Sequence, residues 1–418
     1  MQEKTLFGNG DFTGKEVFDY HNKTYGRNFS YYDFGKKFKA DLFEADEWSS
    51  LFKKAGARYV VLTSKHHDGF TLWPSKEAND RGFPWNSMEV GAKKDLVGEL
   101  SQSVKSAGLK MGLYYSLYEW YHPWWQNDKE RFVDEHFLPQ VKDLVQTYKP
   151  DLLYGDGEWD ITAEQWKSKE LLAWLFNESK VKESIVVNDR WGKNDRQKHG
   201  GYFTTEYEAE APEFERPWEE TRGMGFSFGY NQNEDAKDYN SPQALVLMLV
   251  NIVSAGGNLL LDIGPDARGK IPPIMQERLL QMGKWLSMNG EAIFSTRPWK
   301  KSFQWSKGSK KLESEGHYLG GDFIIRQTLK PKSGQAVKEI FFTQNEEAYF
   351  AITPKWPKKE LRIRDFQPKS KVKVSFLGTG QILSWHQEGD DMVIEIPNYN
   401  PNNLEPEEEY AYTFKILK

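Results

Sequence analysis

Arg58-Tyr59-Val60-Val61-Leu62-Thr63, followed at once by Ser64-Lys65-His66-His67-Asp68-Gly69-Phe70, is the stretch that decides the fold. The first half is dominated by β-branched and aromatic side chains, and the second half turns abruptly polar. A helical stretch from Glu47 to Lys54 precedes the run, and Gly56 closes that helix. A short apolar run between such signals reads as a strand buried on both faces, as in a parallel sheet covered by helices.

The same order repeats along the chain. Lys110 to Ser116 follows a helix spanning Asp95 to Ala107 that stops at Gly108. Leu152-Leu153-Tyr154, Ser184 to Val187, Tyr202 to Thr205, Gly225 to Phe228 and Asn258 to Ile263 read as further strands. Helical patterns cover 129–148, 163–178, 242–255 and 273–288. Strands alternating with helices predict an α/β fold of the (β/α)8, TIM-barrel type. Seven strands are legible where a closed barrel has eight, and residues 1–45 contain no convincing strand, so the expected deficit is the first strand.

Past Pro298 the pattern changes to short alternating runs. These are Phe323-Ile324-Ile325, Glu339 to Phe342, Ala348 to Ile352, Lys371 to Phe376 and Met392 to Ile396, separated by clusters such as Gly378-Thr379-Gly380. That predicts an all-β sandwich. The expected division is a barrel-like catalytic domain over 1–298 and a sandwich domain over 299–418.

Composition narrows the chemistry. The 418 residues carry 56 Lys plus Arg against 61 Asp plus Glu, a formal net charge of −5. Such a balance has no basic footprint for nucleic acid, and no run approaches the length of a membrane span. Met1-Gln2-Glu3-Lys4-Thr5 lacks the basic-then-apolar opening of a secretory signal. Cysteine is absent, which removes disulfides, thiolate metal sites and cysteine nucleophiles. Aromatic residues make up 15% of the chain. Most of these serve packing, but aromatic faces also stack on the C–H surfaces of sugars, which raises carbohydrate as a partner.

In an α/β barrel the reactive groups gather at the C-terminal strand ends. There the sequence places His66 and His67, then Tyr118-Glu119-Trp120, Tyr154-Gly155-Asp156-Gly157-Glu158-Trp159, Asn188-Asp189-Arg190-Trp191 and Glu206-Tyr207. Each has an ordinary explanation: Asp156 as a turn aspartate, Glu206 as a solvated strand end, Arg190 as a partner of Asp189. The histidine pair reads as a metal pair or as donors to hydroxyl groups; no spaced third ligand accompanies it. What carries weight is that all of them fall at one end of the sheet. Two carboxylates on different strand ends are what glycoside cleavage needs, one ionised and one protonated. A spacing of roughly 5–5.5 Å gives retention, and roughly 6.5–9.5 Å gives inversion.

Several long blocks resemble the α-L-fucosidases of glycoside hydrolase family 29. They are Lys65 to Ser75, Lys149 to Trp159, Val187 to Gly192, Gly256 to Pro265 and Gly283 to Ile293, in order between about residues 28 and 299. The resemblance implies a retaining exo-hydrolase of terminal α-L-fucose working by double displacement, with a fucosylated oligosaccharide or simple fucoside as substrate. Asp156 falls on the family's nucleophile position. Glu206 falls where some bacterial members carry the acid/base, with Glu215, Glu158 and Glu219 in reserve. His66, His67 and Arg190 match residues that bond fucose hydroxyls, and Phe228 matches an aromatic against the C5 methyl. Tyr154 replaces the usual tryptophan two residues before the nucleophile, and Trp73 lies in the first matching block; both are expected to line the sugar site. No metal and no cofactor is expected, because carboxylates with Arg190 and histidines need no Lewis acid.

Family members also carry a first strand ending in Phe-x-x-His-Trp-Gly and a later Glu-Trp pair, and the sequence begins after both. Three readings follow: a chain lacking its first segment, a short barrel closed by other means, or completion by a neighbouring subunit in a homo-oligomer. Alternatives to the enzyme are a catalytically impaired fucose-binding or scaffold protein and a barrel glycosidase for another sugar.

Overall fold

A computed structural model describes residues 14–208, 216–225, 227–310, 322–368, 371–398 and 404–418. Among these residues seven parallel strands form the first part: β1 Tyr59–Lys65, β2 Lys110–Ser116, β3 Leu152–Asp156, β4 Val186–Val187, β5 Phe203–Glu206, β6 Trp218–Gly223 and β7 Gly257–Asp262. They pair as β1-β2-β3-β4 and β5-β6-β7. The two sheets meet where Tyr202 N–H donates to Val187 O at 3.1 Å and Gly201 N–H to Asn188 O at 3.2 Å.

Local chemistry starts the covering helices. The Asp95 side chain accepts from Gly98 N–H ahead of helix Leu96–Ser106, whose Leu96, Val97, Leu100 and Val104 are buried. Ser241 caps helix Pro242–Ser254 in the same way, with proline at the first position. That helix is apolar nearly all round because it packs between the parallel strands and the C-terminal sheet. The helix expected over 129–148 is interrupted by a wide turn at Phe132–Phe137, just before Pro139, which has no N–H to continue the ladder.

No ladder joins β7 to β1 among the described residues. Val60 and Leu62 from β1, with Leu259 and Leu261 from β7, line one cavity of about 4310 Å³. Small-molecule pockets occupy roughly 300–1,000 Å³, so most of this space is the open seam and not a sugar site. The seam falls between the last parallel strand and the first visible one, where the strand count places the deficit.

Two expected strands are corrected. The sixth parallel strand is β6 Trp218–Gly223, not Gly225 to Phe228, where residues 225, 227 and 228 form bends and Phe226 lies outside the described residues. Glu219, Glu220 and Arg222 disguise β6 as a surface segment, yet all three are buried. Phe323-Ile324-Ile325 is part of helix Asp322–Thr328. So short an apolar run carries no period that separates strand from helix.

From β8 Arg297–Trp305 onward the strands pair in antiparallel ladders. β8 is followed by β9 Lys338–Gln344, β10 Ala348–Thr353, β11 Glu360–Ile363, β12 Val374–Phe376, β13 Ile382–Leu383, β14 Trp385–Glu388, β15 Asp391–Glu395 and β16 Tyr412–Leu417. One sheet runs β13-β12-β16-β10-β9-β8 and the other β11-β15-β14. Period-two alternation in β9 explains its two buried faces: Ile340 and Phe342 join the core between the sheets, while Phe341 packs into the core of the first part. No helix among the described residues is long and apolar enough to cross a membrane.

Candidate active site

Asp156 is the last residue of β3, and its neighbours decide where its carboxylate stands. A Cβ on Gly155 would lie 2.7 Å from Arg190 O, so the chain end after β4 packs against β3 only if this position is glycine. Gly157 takes φ +76, a turn that side chains resist. The Asn188 side chain extends the two-residue β4 ladder by accepting Gly155 N–H at 3.1 Å and donating to Gly155 O at 2.8 Å.

Arg190 is thereby aimed across the strand ends. Its Nε donates to Thr204 Oγ1 at 2.9 Å and its NH1 to Asp156 Oδ1 at 2.8 Å, while NH2 lies 2.5 Å from Glu206 Oε1 as an off-axis ion contact. Asp156 from β3 and Glu206 from β5 thus share neighbouring nitrogens of one guanidinium. The Tyr114 hydroxyl donates to Asp156 Oδ2 at 2.7 Å. Tyr154 stacks on Tyr114 at 5.7 Å, and Arg190 sits 5.1 Å over the Tyr154 ring. Asp156 is 8% exposed. Burial pushes its carboxyl upward, but Arg190, with Arg196 and the Tyr114 hydroxyl among its other partners, outweighs this and holds it well below the usual range.

His66 and His67 lie with ring centres 4.0 Å apart beyond the pleat of β1. The Ser116 hydroxyl donates to Tyr118 O at 2.7 Å, so it accepts from His67 Nδ1 at 2.7 Å and fixes the proton there. Burial, then His66, push the His67 ring down to about 3. The neutral Nε2 therefore faces Asp156 Oδ2 at 3.7 Å as an acceptor. That nitrogen can accept a hydrogen bond from a hydroxyl group.

Asp156, Glu206, His66, His67, Tyr154, Arg190 and Phe228 all line the same cavity. Phe228 is half open to solvent, with its ring 5.1 Å from that of Tyr207. Trp73 is a correction: at 1% exposure it belongs to the hydrophobic core and does not reach the cavity, because the chain after His67 folds inward. Among the reserve glutamates, Glu158 is buried against Arg196 at 2.6 Å, and Glu219 is held by the Tyr59 and Tyr202 hydroxyls. Neither lines the cavity, and Glu215 lies outside the described residues.

Of the cavity residues that the sequence does not single out, three stand beside the carboxylates and histidines: Tyr114 in an apolar strand, Arg196 in a polar loop, and Trp159, just past β3 and 5.0 Å from the His67 ring. Only alternation offered a signal for the first, since it puts Tyr114 and Tyr115 on opposite faces of β2.

Glu119, His122 and His136 bring three donor atoms within 4.8 Å of one another behind this site. Lys65 Nζ already lies 2.6 Å from Glu119 Oε1, Arg81 bonds Oε2, and His136 Nε2 is 2.8 Å away. The carboxylate is compensated by the protein's own cations, which fits a buried structural network better than a site for a divalent ion.

Two acids from separate parallel strands, gripped by one guanidinium under aromatic walls, are equipped to open an acetal, and the class they define is the glycoside hydrolases. Residues 5–291 match the alpha-L-fucosidase family and residues 333–417 its C-terminal domain. The tissue alpha-L-fucosidase of Homo sapiens is 39% identical over 402 residues, covering 94% of this chain and 78% of the human protein. The alpha-L-fucosidase of Dictyostelium discoideum is 46% identical over 294 residues, covering 67% of this chain and 62% of that protein. A crystal structure of Thermotoga maritima alpha-fucosidase with a mechanism-based inhibitor superposes with a TM-score of 0.76 at 34% identity, covering 96% of this chain and 85% of that one. The chain belongs to the alpha-L-fucosidase family.

Proposed function

We propose that the protein hydrolyses terminal α-L-fucosides with retention, Asp156 acting as nucleophile and Glu206 as acid/base. The observation that carries this reading is the shared Arg190, which contacts Asp156 Oδ1 at 2.8 Å and Glu206 Oε1 at 2.5 Å. Such a grip suits the short carboxyl spacing of double displacement better than the wide spacing that leaves room for a water. In the first step an Asp156 oxygen attacks the anomeric carbon while Glu206 gives its proton to the departing oxygen. In the second, Glu206 takes a proton from water, whose oxygen displaces the aspartate ester. His66, neutral His67 and Arg190 receive the sugar hydroxyls, and Tyr154 and Phe228 face its apolar side.

The chemistry is assigned to 1–298 and packing support to 299–418. A homo-oligomer is a further expectation; light scattering that finds a fully active monomer contradicts that part. Fucosylated oligosaccharides and simple fucosides are the expected substrates. The test is release of 4-nitrophenol from its α-L-fucoside, with competition by L-fucose and none by D-galactose. No release from the folded chain, with fucose still bound, would favour the binding-protein alternative.

A further inference from the structure

The loop between Gly192 and Gly200 sends Arg196 into the cavity. Asn194 and Gln197 take left-handed backbone, φ 70 and 60, which bends the loop back on itself. Gln197 N–H donates to Asp189 Oδ2 at 2.7 Å, and the Thr204 hydroxyl donates to Asp189 Oδ1 at 2.7 Å. The loop is thereby anchored to β5, and Arg196 is presented to three carboxylates at once. Its Nε donates to Glu158 Oε1 at 2.6 Å, its NH2 to Asp156 Oδ1 at 3.2 Å, and its NH1 lies 3.8 Å from Glu206 Oε1.

Arg190 already holds the same Asp156 and Glu206 oxygens, so a second guanidinium there is not needed for packing. The two differ in access: the Arg190 side chain is 2% exposed and that of Arg196 33%. Both cations sit on Oδ1 of Asp156, whereas Oδ2 carries the Tyr114 hydroxyl and faces His67. Because Arg196 also stands beside Glu206, it occupies the side where a protonated leaving oxygen would depart.

Resting on the assignment of Asp156 and Glu206 above, we propose that Arg196 is a positioning residue that sorts the three carboxylates. It ties Asp156 through Oδ1 so that Oδ2 is presented for attack, keeps Glu158 turned out of the cavity, and orients Glu206 on the leaving-group side. Burial pushes the Glu158 carboxyl upward, with Arg196 the chief opposing influence and Arg190 a lesser one. The charged and titratable groups facing Asp156 are His66 and His67 after β1, Tyr114 on β2, Tyr154 and Glu158 on and after β3, Arg190 and Arg196 after β4, and Glu206 on β5.

The test is kcat and KM for 4-nitrophenyl α-L-fucoside across pH in the wild type, Arg196→Gln, Arg196→Lys and Asp156→Ala. Losing a cation beside Asp156 raises its carboxyl, so the acid limb of kcat/KM moves to higher pH in Arg196→Gln. With a charged hydrogen bond removed, kcat falls about 10- to 100-fold while KM changes less, and lysine restores the limb in part. A purely structural arginine would lower the melting temperature and leave the acid limb in place. That result, or wild-type kinetics in both variants, overturns the proposal. A wild type that releases no 4-nitrophenol, or an Asp156→Ala variant that still does, overturns the assignment beneath it.

Discussion

Replacing Arg190 by lysine keeps one positive charge in the site but removes the fork that the two acids share. Arginine reaches Thr204 Oγ1, Asp156 Oδ1 and Glu206 Oε1 from three separate nitrogens at 2.9, 2.8 and 2.5 Å. Lysine offers one nitrogen on a flexible stem and can serve one carboxylate at a time. The loss is therefore one charged contact, about 1.5–3 kcal/mol, and one neutral hydrogen bond, about 0.5–1.5 kcal/mol. The side chain is 2% exposed, so solvent does little to soften the loss. At about 1.4 kcal/mol per tenfold, kcat/KM should drop roughly 30- to 2,000-fold. Steady-state hydrolysis of 4-nitrophenyl α-L-fucoside measures this, with near-ultraviolet circular dichroism to check the fold. A lysine variant within threefold of wild type, with the same pH profile, would refute the claim that one guanidinium sets the carboxylate pair.

Burial pushes Glu219 up to about 7 from its ordinary 4.5, ahead of the opposing Tyr59 and Tyr202 hydroxyls. A carboxyl raised by folding is tolerated at low pH and destabilises as pH climbs through its folded value. The native chain should therefore lose up to roughly 3 kcal/mol between pH 4.5 and 8 on this account. Glu219→Gln should flatten that fall in thermal melts, and an unchanged slope would count against it. Glu119→Gln leaves Lys65, Arg81 and His136 buried without their shared anion, and a loss of about 3–5 kcal/mol is expected in denaturant unfolding; a change under 1 kcal/mol contradicts the network. Trp73→Phe should lower stability by on the order of 1–3 kcal/mol and leave KM unchanged, whereas a raised KM would return Trp73 to the sugar site.

The parallel strands were legible where apolar runs end in polar residues, as at Thr63 and Tyr154, because burial on both faces forces such runs to be continuous. β6 was not, since Glu219, Glu220 and Arg222 read as solvated. Glu219 and Glu220 find their partners on neighbouring strands, Tyr59 on β1 and Tyr202 and Thr205 at β5, and no pattern within β6 announces them. Trp73 misled for the opposite reason, since a residue in a block that feeds the site can still turn into the core. Arg196 sits among Lys193, Asn194, Asp195 and Gln197, a composition that any exposed loop could have. Only the anchoring of that loop by Asp189 distinguishes it, and that is a fact of three dimensions.

The most direct measurement concerns Asp156 itself. Asp156→Ala should lose nearly all hydrolysis of 4-nitrophenyl α-L-fucoside, and added azide should restore 4-nitrophenol release while forming the β-fucosyl azide, seen by NMR. An alanine variant that still hydrolyses the fucoside at a comparable rate without azide, giving the α-sugar first, would contradict the ester on Asp156.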